Sequence, residues 1–233
     1  TAYEIPKRDW SSDVCSSDLC NLIQEIPYVL DLRKSTNLSN MFSGCFSLKT
    51  CPNIIGGASA SNFSYMFQNC RNLKSFPPPS QLDFSNGTNF TLTFYGIIAE
   101  TIPQYNYSKA QTCNQMFRYS DIQYLPDFNT TSAFTTATYM FSNCTSLRLC
   151  PGITMSSVTD VSYMFESCYA LQYIPQLNWS AVTTATSTFS SCGSLAYIGI
   201  TGMAASFSIA NTSMGATALN TLYSSLATVG VSG

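Results

Sequence analysis

One short pattern returns along this chain at a fixed period. The stretch TYMFSNCTSLRLCP at residues 138–151 comes back as SYMFQNCRNLKSFP at 64–77, SYMFESCYALQYIP at 162–175 and SNMFSGCFSLKTCP at 39–52. A looser copy, STFSSCGSLAYIG, occupies 187–199. Two copies a residue shorter start at Thr93 (TFYGIIAETIP) and Met116 (MFRYSDIQYLP), and a half copy, CNLIQEIP, starts at Cys20. The pattern reads Met-Phe-x-x-Cys-x-x-Leu-x-x-Ile-Pro. Its closing residue falls at Pro27, Pro52, Pro77, Pro103, Pro126, Pro151, Pro175 and Gly199, in steps of 25, 25, 26, 23, 25, 24 and 24. Units this small cannot bury their own apolar residues. They gain burial by stacking on copies of themselves, which is the logic of a solenoid.

Two columns carry that stacking. Phe42, Phe67, Phe94, Phe117, Phe141, Phe165 and Phe189 fill one. Ile23, Leu48, Leu73, Ala99, Ile122, Leu147, Leu171 and Leu195 fill the other. Each large apolar side chain is worth roughly 1.5–3 kcal/mol when buried. The segment before Pro, as at 147–150 and 171–174, is expected to form a short strand that Pro ends. Met, Phe and Cys at i, i+1 and i+4 suit a single helical turn, capped by the Ser or Thr upstream. The long stretch from Pro77 to Thr93 reads as an outward loop. Residues 214–226 show helical spacing at Ala218, Leu219, Leu222 and Leu226 and are expected to close the stack.

These residues resemble the BspA-like leucine-rich repeats of surface proteins, in the variant whose unit reads MF..C..L...P. The resemblance spans residues 20–199 and departs at Ile97 and Ser120 in the Cys column and at Gly199 for Pro. It implies an α/β fold, a leucine-rich-repeat-like solenoid of about eight 23–26-residue rungs, each a short strand plus a helical turn. It also implies a surface or secreted binding role and no catalytic residue.

The domain reading follows the register. Residues 1–8 end a preceding repeat (TAYEIP compares with QYIP and QEIP), so more chain is expected upstream. Residues 9–19, DWSSDVCSSDL, resemble one reading frame of a short-read sequencing adapter. The register agrees: Ser16 and Ser17 stand where Met-Phe belongs, and the pattern resumes at Cys20. Trp10 and Cys15 are therefore set aside, as a fusion scar would be. Residues 20–199 form the repeat solenoid, and 200–233 a C-terminal cap and tail.

Composition narrows the function. Charged residues make up 9%, against about 25% in ordinary soluble domains. Ser and Thr, about a quarter of the chain, supply the polar surface in their place. A net charge of −2 gives no basis for binding nucleic acid. There is no apolar run of about 18 residues to span a membrane. With no His in the sequence, His-based nucleophile and metal arrangements are excluded. No cofactor, metal site or catalytic residue is expected. A lyase on a β-helix would need acidic and basic groups clustered in one groove. Asp121, Asp127, Asp160 and Glu166 are scattered, and Lys49, Lys74 and Arg148 alone share a strand column.

The strongest functional signal is Asn-x-Ser/Thr, present at Asn37, Asn62, Asn86, Asn89, Asn106, Asn129, Asn143, Asn178 and Asn211. Nine exceeds the roughly four that chance allows, and the sites fall in loops expected to face out. N-linked glycans are the expected modification. Six cysteines share a column: Cys20, Cys45, Cys70, Cys144, Cys168 and Cys192. Buried thiols and disulfides both fit it. The candidate bridges are Cys45–Cys51 and Cys144–Cys150 within a rung and Cys168–Cys192 between rungs. Two functions stand at this point. One is an extracellular glycosylated repeat protein with a structural or adhesive role, assembling with itself head-to-tail into filaments. The other is a cell-surface recognition module for a separate protein or glycan, read through an aromatic strip hinted at by Phe46, Tyr169, Tyr173 and Tyr197.

Overall fold

The computed structural model describes residues 22–131, 133–202 and 205–226. The adapter-like block, Trp10, Cys15 and Cys20 lie outside the described residues. Among the described residues five regular elements appear: β1 (Leu30–Leu32), β2 (Ile54–Gly56), β3 (Tyr173–Asn178), β4 (Tyr197–Thr201) and α1 (Ala216–Leu226). β1 pairs with β2 and β3 with β4, both parallel. Isolated parallel bridges join the rest, and every pair links residues 23 to 27 apart. Successive repeats therefore lie on one another in parallel.

The Phe column forms a continuous ring stack. Centroids from Phe42 to Phe67, Phe94, Phe117, Phe141, Phe165 and Phe189 are 5.4, 5.6, 5.4, 5.7, 5.4 and 5.8 Å apart, and no pair tilts by more than 15°. Leu48, Leu73, Ala99, Ile122, Leu147, Leu171 and Leu195 are buried beside it in one core that runs from Leu30 to Leu222.

The segment expected as a helical turn folds differently. Residues just before Met and just before Cys take left-handed φ: Asn40 at 60° and Gly44 at 74°, Tyr65 at 61° and Asn69 at 58°, Tyr163 at 58° and Ser167 at 57°. These break the helix into successive tight turns. The N–H groups alternate in use. Those of Leu38, Asn40, Phe42 and Gly44 donate to the carbonyls of Asn62, Ser64, Met66 and Gln68 at 2.8–2.9 Å, while Ser43 and Cys45 donate back within their own turn. A continuing helix would consume the N–H groups beyond its first turn internally. Splitting them between local turns and the next repeat satisfies the backbone and ties the levels together. The scheme recurs through Val161, Tyr163, Phe165 and Ser167. At the next level the N–H groups of Ala185, Ser187, Phe189 and Ser191 meet no acceptor among the described residues.

The strands also sit differently from expectation. β1 and β2 follow Pro27 and Pro52 rather than precede them. β3 runs through Pro175, where the register slips between Ile174 and Leu177, so the missing N–H falls at a bulge and leaves the ladder intact on either side. The stretch from Pro77 to Thr93 is not a purely outward loop. It sends Leu82 and Phe84 into the core, and Phe84 packs on Phe63 and Tyr105 with centroids 4.5 Å away in each case. At the C-terminal side Phe207 meets Phe189 edge-on at 5.7 Å, Trp179 lies flat on Phe189 at 5.9 Å, and α1 packs against β4 with Leu222 buried.

Candidate recognition surface

Two rows of aromatic side chains reach solvent, each generated by the repeat. On the strand side, Tyr124, Leu149, Tyr173 and Tyr197 occupy one position in four consecutive repeats. Leu149 bridges to Tyr173, and Tyr173 pairs with Tyr197, whose ring stacks on it at 4.8 Å and 9°. Tyr124, Leu149 and Tyr173 are each more than 40% exposed. Phe46 and Tyr169 are exposed as well. The sequence hint at Tyr173 and Tyr197 is one contiguous strip; Phe46 lies several levels away.

The second row lies along the tight turns and escaped the sequence reading. Tyr139 and Tyr163 stack at 4.5 Å and 5°, and Tyr95 meets Tyr119 edge-on at 5.5 Å. The guanidinium of Arg118 lies 4.5 Å from the Tyr139 ring centre and 4.9 Å from that of Tyr119. The tyrosines come from different repeats and from three pattern positions, so no single copy displays the row.

The glycosylation candidates divide by environment. Asn37, Asn86, Asn106, Asn129, Asn178 and Asn211 are exposed, while Asn62, Asn89 and Asn143 are half-buried. Asn37, Asn62 and Asn89 head a ladder of parallel bridges that continues through Thr112, Thr136, Asp160 and Thr184. Their Oδ1 atoms each accept the N–H two residues on, at 3.0 Å, the turn-starting bond that Asn forms readily. Asn143 holds a left-handed φ of 60°. Asn129 donates from Nδ2 to Asn106 Oδ1 at 2.9 Å.

The cysteine column has a definite part in the fold. Cys70, Cys144, Cys168 and Cys192 donate from Sγ to the carbonyls of Phe42, Phe117, Phe141 and Phe165 in the preceding level, at 2.9–3.0 Å. Ser120 makes the same bond to Phe94 O at 2.6 Å. No disulfide joins the described cysteines. Burial pushes the thiols of Cys45, Cys51, Cys144 and Cys192 up to about 12. They are poor nucleophiles on that account.

Charge is sparse. Among the described residues one ion pair forms, between Arg33 and Asp31, and its hydrogen bond holds the Asp31 carboxyl at about 2. Lys49 and Lys74 are neighbours in their column, but Glu100 and Gln123 separate them from Arg148, so the basic column is interrupted. No group of three or more metal-binding side chains occurs among the described residues. No described helix is long and apolar enough to cross a membrane. A groove of about 460 Å³, lined mainly by Thr183, Thr186, Ser187, Ser206 and Ser208, opens beside the last turn.

A comparison with curated proteins finds no match. Among solved structures, a leucine-rich cell surface protein from Faecalibacterium prausnitzii A2-165 is similar at 15% identity, over 80% of this chain and 82% of that one, with a TM-score of 0.30. The family model described as "Mycoplasma protein of unknown function, DUF285" matches residues 20–123 and again 88–201, two overlapping spans that take in most of the chain, and the chain belongs to that family.

Proposed function

We propose that the chain is a leucine-rich-repeat-like solenoid of about eight rungs that works at the cell surface as an adhesive or structural module. The observation that carries this reading is the strand-side strip of exposed Tyr124, Leu149 and Tyr173, continued by half-buried Tyr197, set at repeat spacing on the stack. Contiguous exposed apolar surface of this kind marks a contact site, and aromatic side chains dominate such contacts. The test has two parts. Antibody labelling and protease shaving of intact cells should reach the protein; a wholly internal location would reject the surface role. Beads coated with the protein should attach to cell layers, and Tyr173→Ser with Tyr197→Ser should cut attachment several-fold at an unchanged melting temperature. Equal attachment would remove the strip from the reading.

N-linked glycans belong to the same proposal, first at the exposed Asn86, Asn106, Asn129, Asn178 and Asn211. Intact mass before and after enzymatic deglycosylation tests this, and an unchanged mass rejects it. For a secreted chain, Cys45–Cys51 and Cys144–Cys150 are the first pairs to examine for bridges, by alkylation with and without prior reduction.

A second reading, end-on self-association, is favoured by the row of N–H donors at Ala185, Ser187, Phe189 and Ser191. Open backbone edges attract further chain, and a head-to-tail contact propagates as a filament. Phe207 partly covers that end. Light scattering at high concentration should show growing mass, more so for Phe207→Ser; a constant monomer mass in both rejects it.

A further inference from the structure

We propose that the turn-side row built around Arg118 is a binding site for a carboxylated sugar, of the kind found in uronic-acid glycans. The argument starts from the backbone. Gln115 and Tyr119 take φ of 55° and 60°, which closes the tight turn around Arg118. The next repeat places Tyr139 in the position Gln115 holds, and the one after places Tyr163 there. Arg118 thus lies against Tyr119 of its own turn and Tyr139 of the next. Tyr163 extends the platform beyond Tyr139, and Tyr95 flanks Tyr119 on the other side.

The guanidinium is held without an anion. Its Nη1 donates to Gln115 Oε1 at 3.1 Å, and its Nη2 is 3.5 Å from the Tyr119 hydroxyl. Its Nε is buried with no acceptor. A guanidinium carries five N–H donors, so at least three have no acceptor among the described residues. The acidic groups of neighbouring levels are engaged elsewhere. Asp121 accepts from Ser146, and Glu166 accepts from Ser142 at 3.0 Å. The rings hold the cation in place by cation–π contact, and they leave its N–H edge to pair with a carboxylate in the two-pronged manner arginine favours.

The flat rings choose the rest of the ligand. Tyr119, half exposed beside the guanidinium, presents an apolar ring with a hydroxyl at its rim, which suits the C–H face of a pyranose and its ring hydroxyls. One cation in a chain of net charge −2 does not suit a polyphosphate such as nucleic acid. One carboxylate beside one hexose face matches one arginine beside one exposed ring, with the stacked pair Tyr139 and Tyr163 backing the cation. This site is separate from the strand-side strip, so it stands or falls independently of the adhesive reading.

Calorimetric titration of the intact protein with trigalacturonate, and with maltotriose as a neutral control, tests the site. The expected result is millimolar or tighter binding of trigalacturonate, at least tenfold tighter than maltotriose, weakening as salt is raised. Arg118→Gln should lose at least tenfold while keeping its melting temperature, and Arg118→Lys should recover part of that loss. Tyr163→Leu lies at the end of the row, away from the core, and should weaken trigalacturonate several-fold even if the Arg118 variants fold poorly. Tyr173→Ser should bind as wild type. The site is overturned if wild type ignores trigalacturonate, if maltotriose binds equally, or if folded Arg118→Gln and Tyr163→Leu bind unchanged.

Discussion

Repeats at 138–199 and repeats at 78–128 solve the same packing problem with different residues. The C-terminal set keeps a step of 24 residues and the Cys column at Cys144, Cys168 and Cys192. Beside the Phe stack and the Leu column, its interior is filled mainly by aliphatic side chains such as Met155, Val158, Ile174 and Val182, with Trp179 on Phe189. The middle set has steps of 26 and 23, with Thr93 for Met, Ala99 and Ile122 for Leu, and Ile97 and Ser120 for Cys. There aromatics from the connecting segments join the core. Phe84, Tyr105, Tyr107 and Phe128 pack into a cluster, with Tyr107 4.7 Å from Phe128 and Phe128 edge-on to Phe117 at 5.9 Å. Tyr105 is admitted because its hydroxyl donates to Pro77 O at 2.6 Å. What both regions retain is the ring stack and the alternation of backbone donors between turn and next level. The pattern residues around those two features are exchangeable when something else fills the space and the bond.

The comparison can be broken most forcefully at the rings. Phe141→Ala in the regular set and Phe84→Ala in the middle set should each cost about 3–5 kcal/mol, read by urea unfolding. A small loss at Phe84 would mean the aromatic cluster merely covers the core. Next in size is Gly57, where φ is 100° and an added Cβ would lie 2.6 Å from Asp83 O. Gly57→Ala should cost at least about 1–3 kcal/mol. Gly44→Ala, at a φ of 74° with open space around it, should cost about 1 kcal/mol. Equal losses at the two glycines would remove the close contact as a constraint on the longer connection.

The thiol column offers a finer test. Ser120→Ala takes the donor from Phe94 O and should cost about 1–3 kcal/mol, while Ser120→Cys should be close to neutral, since Cys does this work in four other repeats. A neutral Ser120→Ala would show the bond to be incidental. The smallest effect concerns pH. Burial raises the folded-state thiol values, to about 12 at Cys45, Cys51, Cys144 and Cys192. Above the ordinary thiol range the unfolded chain releases protons that the folded chain keeps. The thiol contribution to stability is therefore complete at neutral pH and declines as pH rises toward 12. The urea midpoint of the reduced protein should fall between pH 8 and pH 10, and less steeply in Cys168→Ser. A flat profile would mean that water reaches the column.

The period, the Phe and Leu columns and their burial were legible in the sequence, because each depends on identity and spacing within a single copy. Other features depended on what neighbouring levels supply. Met-Phe-x-x-Cys spacing fits a helical turn in an isolated segment, yet the next level offers carbonyls to every second N–H and the chain takes tight turns instead. Pro175 looks like a strand end until a bulge gives it a place. Asn62 and Asn89 look like exposed loop residues until their Oδ1 atoms are found holding turn N–H groups in a bridge ladder. Arg118 and Tyr139 belong to different repeats and different pattern positions, so only stacking brings them together. Sequence periodicity determines which residues recur at the same level of the stack; which side chains touch between levels is decided by backbone hydrogen bonding, and that exists only once the levels are in place.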